Sequence, residues 1–434
     1  MNRNLMLNFG IVFVALLIPY SVLQIGTPTL EWPMFWQVRT YLVNYSGIVS
    51  MLLMSLCVIL SVKHWSLERW LGGLDKQYRL HKYLGISAVF SALFHWGAFL
   101  SDDFAMDFGF VEPKDETFPF WKLIDAMGDP AQLIGEYGFY LSAAFVLIAW
   151  IKKFKHNVFQ LTHKVLPYLY LFLVLHMVML FEASLWLTPS GAILLCVSGL
   201  ATVGCFMTIF NLNGKKKCHD AKVQSIKPIS NGIEVMLKVD SAEFVYQPGQ
   251  FAFVDFGDNE RPHPFSLASA YHQNGEVRLM IKANGDYTSA LKGSLKVGQA
   301  ARIEGPYGRF NFQDNAERQV WFAAGIGIAP FLTAIETVGA SKTVYLFYSY
   351  REEDKPLLDE LKQRAKKAGV TLYTKNTSVQ GRFRNAEVTE CVEGTRHCSV
   401  WYCGPSELGK TLEKAFVRLG LPAKSFHREL FELR

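Results

Sequence analysis

Four histidines on two apolar stretches are the residues of this chain best suited to chemistry. His81 and His95 lie in one run and His163 and His176 in another, at spacings of 95 − 81 = 14 and 176 − 163 = 13 residues. At about 1.5 Å of rise and about 100° of turn per residue, either spacing keeps both rings near one helix face and about 20 Å apart along the axis. That is most of a hydrocarbon core of about 30 Å. Two such helices side by side present two His–His pairs, one above the other. Neutral imidazole nitrogen is a good iron ligand, so each pair suits bis-axial haem ligation. A single intramembrane histidine is often only hydrogen-bonded. Ionisable groups are costly in lipid, however, and four at matched spacing on two spans point to a function.

The elements that must position these rings follow from the distribution of apolar residues. The chain is 50% hydrophobic and 19% charged, and nearly all its long apolar runs precede Leu212, so a membrane part comes first and a soluble part second. Six runs are near the length a span requires: Leu5–Ile25, Tyr41–Val62, 80–100, Leu133–Ile151, 163–185 and Ser190–Phe210. The first is long for a signal peptide and lacks a small-residue cleavage site, so it reads as a retained helix. The net charge of +6 raises the question of nucleic acid. The basic residues nevertheless gather at the ends of apolar runs and form no stripe, which excludes that class. Lys63, Arg69, Lys76, Arg79 and Lys82 follow the second run, Lys152, Lys153, Lys155 and Lys164 the fourth, and Lys215, Lys216 and Lys217 the sixth. The positive-inside rule then places both termini in the cytoplasm, His81 and His163 at the inner level, and His95 and His176 at the outer level. The acidic connection 101–130 lies outside and reads as the solvated counterpart of that bias. Arg39, at the outer end of its helix, has a reading as a snorkelling residue and another as a contact for a haem propionate. Seven cysteines occur with no Cys-x-x-Cys, so neither a zinc ribbon nor an iron–sulfur cluster is indicated.

Beyond Lys217 short alternating runs replace the long apolar ones: Ala221–Ile226, Gly232–Val239, Phe251–Phe256, Val277–Ile281 and Ala301–Glu304. Punctuated by Gly, Pro and Asn, they predict a small antiparallel β-barrel. From Gln319 the pattern turns to strand, helix, strand, with strands at Val320–Ala324, Thr343–Tyr348 and Ser399–Tyr402 and a helix at Lys355–Ala368. That alternation predicts a parallel sheet with helices on both faces, and nucleotides bind at the carboxyl ends of such strands. Four clusters carry possible chemistry. Arg261-PHPFSLAS offers an aromatic to cover a ring, a hydroxyl for a ring nitrogen and a histidine, or is only a Pro-rich turn. Lys282-ANGDYT supplies a cation, a glycine and a threonine beside free backbone amides, as a pyrophosphate requires, or is an ordinary Gly-Asp turn. Gly325-IGIAP places small residues at a strand-to-helix turn without the full dinucleotide fingerprint. Cys403-Gly-Pro ends a strand at the same sheet edge, where a structural cysteine is the plainer reading.

Taken together, these residues resemble one superfamily, the transmembrane ferric reductases and NADPH oxidases. The resemblance covers about residues 40–434 and rests on the order of motifs: His-x13-His and His-x12-His on membrane helices, then a ferredoxin-reductase-type module. Leu74-DKQYRLHK is similar to the family's approach to its first haem ligand. By that resemblance His263, Pro264, Phe265 and Ser266 form the flavin motif, with Ser266 approaching the ring, Phe265 stacking and His263 on the polar portion. Lys282 stands where the family has a pyrophosphate-binding Arg, and Gly285 and Thr288 complete the loop. Gly305-PYG, Gly325, Gly327 and Pro330 of Gly325-IGIAP, and Cys403, Gly404 and Pro405 match the nicotinamide side, with Cys403 as a catalytic residue. Phe431 takes the place of the carboxyl-terminal aromatic that stacks on the flavin and moves before nicotinamide enters. Unlike family members that end on it, this chain continues with Glu432, Leu433 and Arg434. No EF-hand loop is present, so calcium control is not expected. The compact form implies a bacterial cytoplasmic membrane.

The expectation is therefore a membrane α-helical bundle of six helices with two haem b groups over residues 1–214. An FAD-binding β-barrel is expected over 215–315 and an NAD(P)H-binding α/β domain over 316–434. Electrons would pass from NADPH or NADH through FAD and the His81–His163 and His95–His176 haems to a small outer acceptor, dioxygen or a ferric chelate. No obligatory protein partner is implied. An electron donor to an extracytoplasmic partner protein is the alternative. Arg351, Arg382 and Arg384 are candidates for a 2′-phosphate, but Glu352, Glu353 and Asp354 crowd the first, so both nucleotides stay open.

Overall fold

The computed structural model describes residues 34–63, 65–109, 121–151, 156–181, 186, 188–258, 260–339, 342–390 and 397–429. The expected first span, Leu5–Ile25, lies outside them. The chain divides into two compact units, residues up to 64 with 76–213, and residues 65–75 with 214 onward.

The first unit is helical: α1 (Met34–Ser61), α3 (Leu74–Phe99), α4 (Ser101–Asp107), α5 (Trp121–Trp150), α6 (His156–Leu180) and α7 (Pro189–Ile209); the short α2 (Trp65–Leu71), between α1 and α3 in sequence, belongs to the second unit. Among the described residues five helices are long and apolar enough to cross a membrane. In lipid the backbone must satisfy its own hydrogen bonds, and helices do so within one segment. What joins them is small residues and hydroxyls, since lipid is as apolar as Leu. The buried face of α7 runs through Ser190, Leu194, Ser198, Ala201, Gly204 and Cys205. A β-carbon at Gly204 would lie 3.2 Å from Val62. Ser55 of α1 hydrogen-bonds Tyr170 of α6 at 2.8 Å and Ser198 of α7 at 3.3 Å. Gln77 of α3 donates to the last carbonyls of α1, Leu60 O at 2.9 Å and Val62 O at 2.8 Å, which a helix end otherwise leaves open. Among the described residues α5 packs closely along α6 and α1 along α7, whereas α3 has no comparably close backbone neighbour.

The second unit holds two sheets. Six antiparallel strands stand in the order β4-β3-β6-β1-β2-β5. They are β1 (Cys218–Ile229), β2 (Gly232–Val239), β3 (Phe251–Asp255), β4 (His263–Ser266), β5 (Glu276–Lys282) and β6 (Ala300–Tyr307), with helix α8 (Asp286–Ser294) after β5. The two ends of that order meet where Leu267, just past β4, bridges Leu279 of β5. The second sheet is parallel throughout, in the order β11-β10-β7-β8-β9. Its strands are β7 (Arg318–Ala324), β8 (Thr343–Tyr350), β9 (Thr371–Asn376), β10 (Cys398–Cys403) and β11 (Phe426–Arg428). Between them run α9 (Ala329–Thr337), α10 (Lys355–Ala368), α11 (Asn385–Glu390) and α12 (Ser406–Arg418). All six residues of β10 are buried, as expected of a strand covered on both faces. Helix α10 starts on an Asp354 cap and stops at Gly369, which takes the left-handed conformation at φ 70°. Three strands depart from expectation. The Pro-rich stretch at 263 is itself β4, because Pro264 sits on the edge strand of its order, where a missing N–H costs no ladder bond. Strands β9 and β11 are edge strands with little apolar alternation, so their pattern is weak.

Arg278 of β5 joins the two sheets. Its buried guanidinium donates Nε to Glu234 of β2 at 2.9 Å and Nη2 to Glu360 of α10 at 2.9 Å. Removing one member of such a buried set leaves uncompensated charge and costs about 3–5 kcal/mol, whereas exposed pairs contribute about 1 kcal/mol or less. Arg278→Ala is expected to destabilise the full-length protein by about 3 kcal/mol in a thermal melt followed by circular dichroism. Lys227→Ala, removing an exposed cation 4.0 Å from Glu234, is expected to leave the melt almost unchanged. Equal effects of the two would rule out the buried cluster as the joint.

Candidate functional site

Each histidine-bearing helix is backed by a neighbour. On α3, His81 Nδ1 bonds the Cys57 carbonyl at 2.7 Å and His95 Nδ1 bonds the Val43 carbonyl at 2.9 Å. Both acceptors lie on α1, and 57 − 43 = 14 matches 95 − 81 = 14, so the two helices hold both rings in one register. On α6, His176 Nδ1 bonds Ala131 O of α5 at 2.7 Å. A carbonyl oxygen only accepts, so each of these rings donates its Nδ1–H and keeps its Nε2 lone pair for a metal. His163 carries Phe159 against its face, with ring centroids 4.2 Å apart.

At the inner level the structure brings His81 and His163 together, with ring centroids 6.4 Å apart and planes inclined by 55°. Two metal–imidazole bonds of about 2 Å, each with about 1 Å more from nitrogen to ring centre, place bis-ligated centroids about 6 Å apart. The pair therefore fits one iron between them. His95 and His176 lie within coulombic range of each other. Among the described residues no group of three or more His, Cys, Asp or Glu could hold a metal ion. Two imidazoles per level would suit a metal whose remaining ligands a porphyrin provides.

In the second unit the structure brings two of the sequence clusters together. His263, opening β4, stacks on Tyr287 of α8 at 3.9 Å and 13°. Phe265 and Ser266 are buried, and Pro264 pairs with Phe253 of β3. Lys282 is the exposed last residue of β5. Gly285 precedes α8 at φ 105°, where a side chain would be strained, and open space surrounds its missing β-carbon. Thr288 Oγ1 accepts from Asn284 N at 2.9 Å, closing the turn. A cation, a helix amino terminus and an open glycine are features that can receive an anion. Burial pushes the His263 imidazole below its ordinary value, so that ring is neutral at pH 7. It pushes the Tyr287 phenol up, with Asp258 adding to the rise. Tyr287 was not among the expected residues; an aromatic inside a Gly-Asp-Tyr-Thr turn was the available sign.

A second group gathers at the carboxyl ends of β7 and β10, which pair in parallel with Ala323 beside Cys403. Gly325, at φ 57°, turns the chain off β7. A β-carbon at Gly327 would lie 2.7 Å from the Cys403 carbonyl carbon and 3.1 Å from its sulfur, and one at Gly404 would lie 2.7 Å from Ala324. Only glycine allows that approach. Pro330 lies in the first turn of α9, and Thr333 of the same helix donates to Leu267 O at 2.7 Å, tying this edge to the end of β4. Tyr402 donates to Pro405 O at 2.7 Å and fixes the turn after Cys403. Gly305 lies within β6, where a β-carbon would sit 3.2 Å from Ala252 of β3, a packing position. Cys403 is fully buried, and burial, with Glu429 adding to it, raises its thiol well above the ordinary value. Phe431 lies outside the described residues.

Glu429 is the residue that sequence reasoning passed over. It is 6% exposed, its backbone N–H reaches Tyr402 O at 3.3 Å, and its Oε2 has no hydrogen-bond partner among the described residues. Burial, reinforced by Asp75, holds its carboxyl well above the usual range. Position after a weak edge strand hid it; a buried carboxyl shows only once β11 is laid beside β10.

The comparisons with known proteins follow the same division. Residues 46–174 match the family of the ferric reductase like transmembrane component, and residues 215–311 match the FAD-binding domain family. The propane 2-monooxygenase reductase component of Rhodococcus jostii is 26% identical over 200 residues, covering 42% of this chain and 53% of that protein. The carnitine monooxygenase reductase subunit of Escherichia coli is 30% identical over 183 residues, covering 41% of this chain and 56% of that protein. The chain thus spans about half the length of the curated relatives it matches. Among solved structures, a flavohemoglobin from Malassezia yamatoensis with bound FAD and heme is 19% identical with a TM-score of 0.48, covering 72% of this chain and 92% of that one.

A carboxyl kept neutral by the fold but ionised in the unfolded chain stabilises the fold fully below about pH 4.3, and progressively less as pH rises toward its folded value. Glu429→Gln is therefore expected to melt with wild type at pH 4 and above it at pH 8. A variant that melts no higher than wild type at pH 8 would contradict the neutral burial of this carboxyl.

Proposed function

We propose that this chain, which belongs to the ferric reductase and NADPH oxidase superfamily, is a multi-pass membrane oxidoreductase that binds FAD and carries electrons from cytoplasmic NADPH or NADH to a one-electron acceptor across the membrane. The observation that carries this reading is the inner histidine pair, 6.4 Å between ring centroids, with His81 held to a helix carbonyl through Nδ1. Two haem b groups, one between His81 and His163 and one between His95 and His176, together with FAD, would supply the conversion of a hydride into single electrons and their passage across the bilayer. We place the functional boundaries at 1–214 for the membrane part, 215–315 for the FAD part and 316–434 for the nucleotide part, with both termini in the cytoplasm as the Lys and Arg distribution requires.

The chain's own residues do the positioning. Ser266 and Phe265 hold the isoalloxazine side of FAD, and His263 on Tyr287 marks its polar portion. Lys282, Gly285 and Thr288 receive the pyrophosphate. Gly325, Gly327 and Pro330 admit the nicotinamide nucleotide at the β7 edge. Cys403, Gly404 and Pro405 would flank the reacting ring, and by the family resemblance Phe431 would have the role of covering the flavin until nicotinamide arrives. No acid–base catalyst is needed in the membrane. His81, His163, His95 and His176 would hold the haem irons without leaving an open site for the acceptor, so transfer would be outer-sphere and would suit dioxygen, giving superoxide, or ferric chelates.

A second reading is that the acceptor is a protein. The relatives in Rhodococcus jostii and Escherichia coli are named as a reductase component and a reductase subunit, and this chain would by analogy serve a partner outside the membrane. Dismutase-sensitive cytochrome c reduction identifies the oxidase, ferric citrate reduction without oxygen the metalloreductase, and a partner-dependent rate the donor component.

Purified protein is expected to show the reduced spectrum of low-spin bis-histidine haem, with two haems per flavin. His95→Ala is expected to lose one haem and keep the other, with electron transfer to the outer acceptor reduced at least about a hundredfold, the range seen on losing an essential positioned group. Folded wild-type protein that contains flavin and no haem would refute the reading.

A further inference from the structure

Both outer histidines lie against a glycine of the helix behind them. His95 bonds the Val43 carbonyl, and a β-carbon at Gly47 would lie 3.1 Å from His95 Cε1 and 3.4 Å from its Nδ1. His176 bonds the Ala131 carbonyl, and a β-carbon at Gly135 would lie 2.6 Å from its Nδ1 and 2.9 Å from its Nε2. In both helices the glycine follows the acceptor by four residues, 47 − 43 = 4 and 135 − 131 = 4. That spacing has a physical reason. A helix carbonyl spends one lone pair on the N–H four residues on and keeps the other facing outward. Every Cα–Cβ bond tilts toward the helix amino terminus, so the side chain at i+4 leans back over the carbonyl of residue i. Glycine at i+4 removes that cover. The inner ring has no such arrangement: the acceptor for His81 is Cys57, and the residue four further on is Ser61.

We infer that Gly47 and Gly135 are positioning residues for the outer haem. By leaving the Val43 and Ala131 carbonyls uncovered, they let His95 and His176 donate through Nδ1 and so turn Nε2 toward the metal. The inference rests on the haem reading above. It also predicts a gradation. At Gly135 an added methyl would occupy the space of the imidazole itself, and the ring must leave. At Gly47 the ring need give by only a few tenths of an ångström, so it stays and its hydrogen bond lengthens. A weaker bond at Nδ1 makes the imidazole a poorer electron donor to iron, which favours the reduced metal.

The test uses full-length holoprotein in detergent and measures haem per flavin, the low-spin EPR signals and the reductive midpoints. Gly135→Ala is expected to halve the haem-to-flavin ratio and abolish the outer signal while the inner one persists. Gly47→Ala is expected to keep both haems and raise the midpoint of the outer one alone. Gly138→Ala, on the helix of Gly135, is the packing control, since its β-carbon would press on Leu173 of α6 at 2.8 Å with no histidine atom within 4 Å, and Gly97→Ala meets nothing within 4 Å. Both controls are expected to retain two haems with unshifted midpoints. Two haems with unchanged EPR and midpoints in Gly135→Ala would overturn the proposal, as would loss of the outer haem in Gly138→Ala to the same extent. Should Gly135→Ala yield no folded protein, the Gly47→Ala midpoint decides, and an unshifted value overturns it. Wild-type protein without haem would give a different result, the failure of the underlying reading, and would remove this proposal with it.

Discussion

The membrane half depends on one interaction, a hydrogen bond from an imidazole Nδ1–H to the spare lone pair of a helix carbonyl. In hydrocarbon there is no water to satisfy a ring nitrogen, and leaving it bare costs several kcal/mol. His81, His95 and His176 each meet that need on a neighbouring helix, at 2.7, 2.9 and 2.7 Å. The same bond does two further things. It fixes which nitrogen carries the proton, and it sets the angle at which the ring leaves its helix. Because both rings of α3 use α1, any rotation of α3 about its axis would break two bonds at once. The Gln77 contacts to the end of α1 and the hydroxyl cluster of Ser55, Tyr170 and Ser198 hold the supporting helices in turn.

The second unit follows a different rule, which is to present neutral groups at the edge where the parallel strands end. Burial drives Cys403 and Glu429 toward their uncharged forms, and it lowers the His263 imidazole at the other cluster. Fixed charge is kept apart from these, at the exposed Lys282 and in the buried Arg278 cluster. The arrangement suits planar, largely apolar rings beside an anionic tail. Arg278, Glu234 and Glu360 set the relation of α10 to the antiparallel sheet, and Thr333 to Leu267 sets that of α9 to β4.

Much of this was legible in the residues. The histidine spacing, the helix from Lys355 to Ala368 with its glycine stop, and the strand–turn–helix at Gly325 are local features. Period and capping chemistry act over a few residues and therefore show in one dimension. The misses share a cause. His263–Ser266 reads as a turn because Pro264 argues against a strand, and only its place at the end of the strand order makes it one. Tyr287 and Glu429 are unremarkable in sequence; stacking on His263 and burial beside Cys403 give them significance. Gly47 and Gly135 look like ordinary small residues of membrane helices until a ring is seen to lie over each.

The sequence by itself determined which segments are apolar enough to leave water, where the chain changes from membrane to sheet, and which side chains can ligate iron. Those properties belong to single residues and their near neighbours. Only the tertiary structure decided which carbonyl holds each imidazole and which glycine leaves it room. His95 finds its acceptor 52 residues away and His176 finds its own 45 residues away. At such separations the chain order carries no distance information, and the pairing is settled by how whole helices pack.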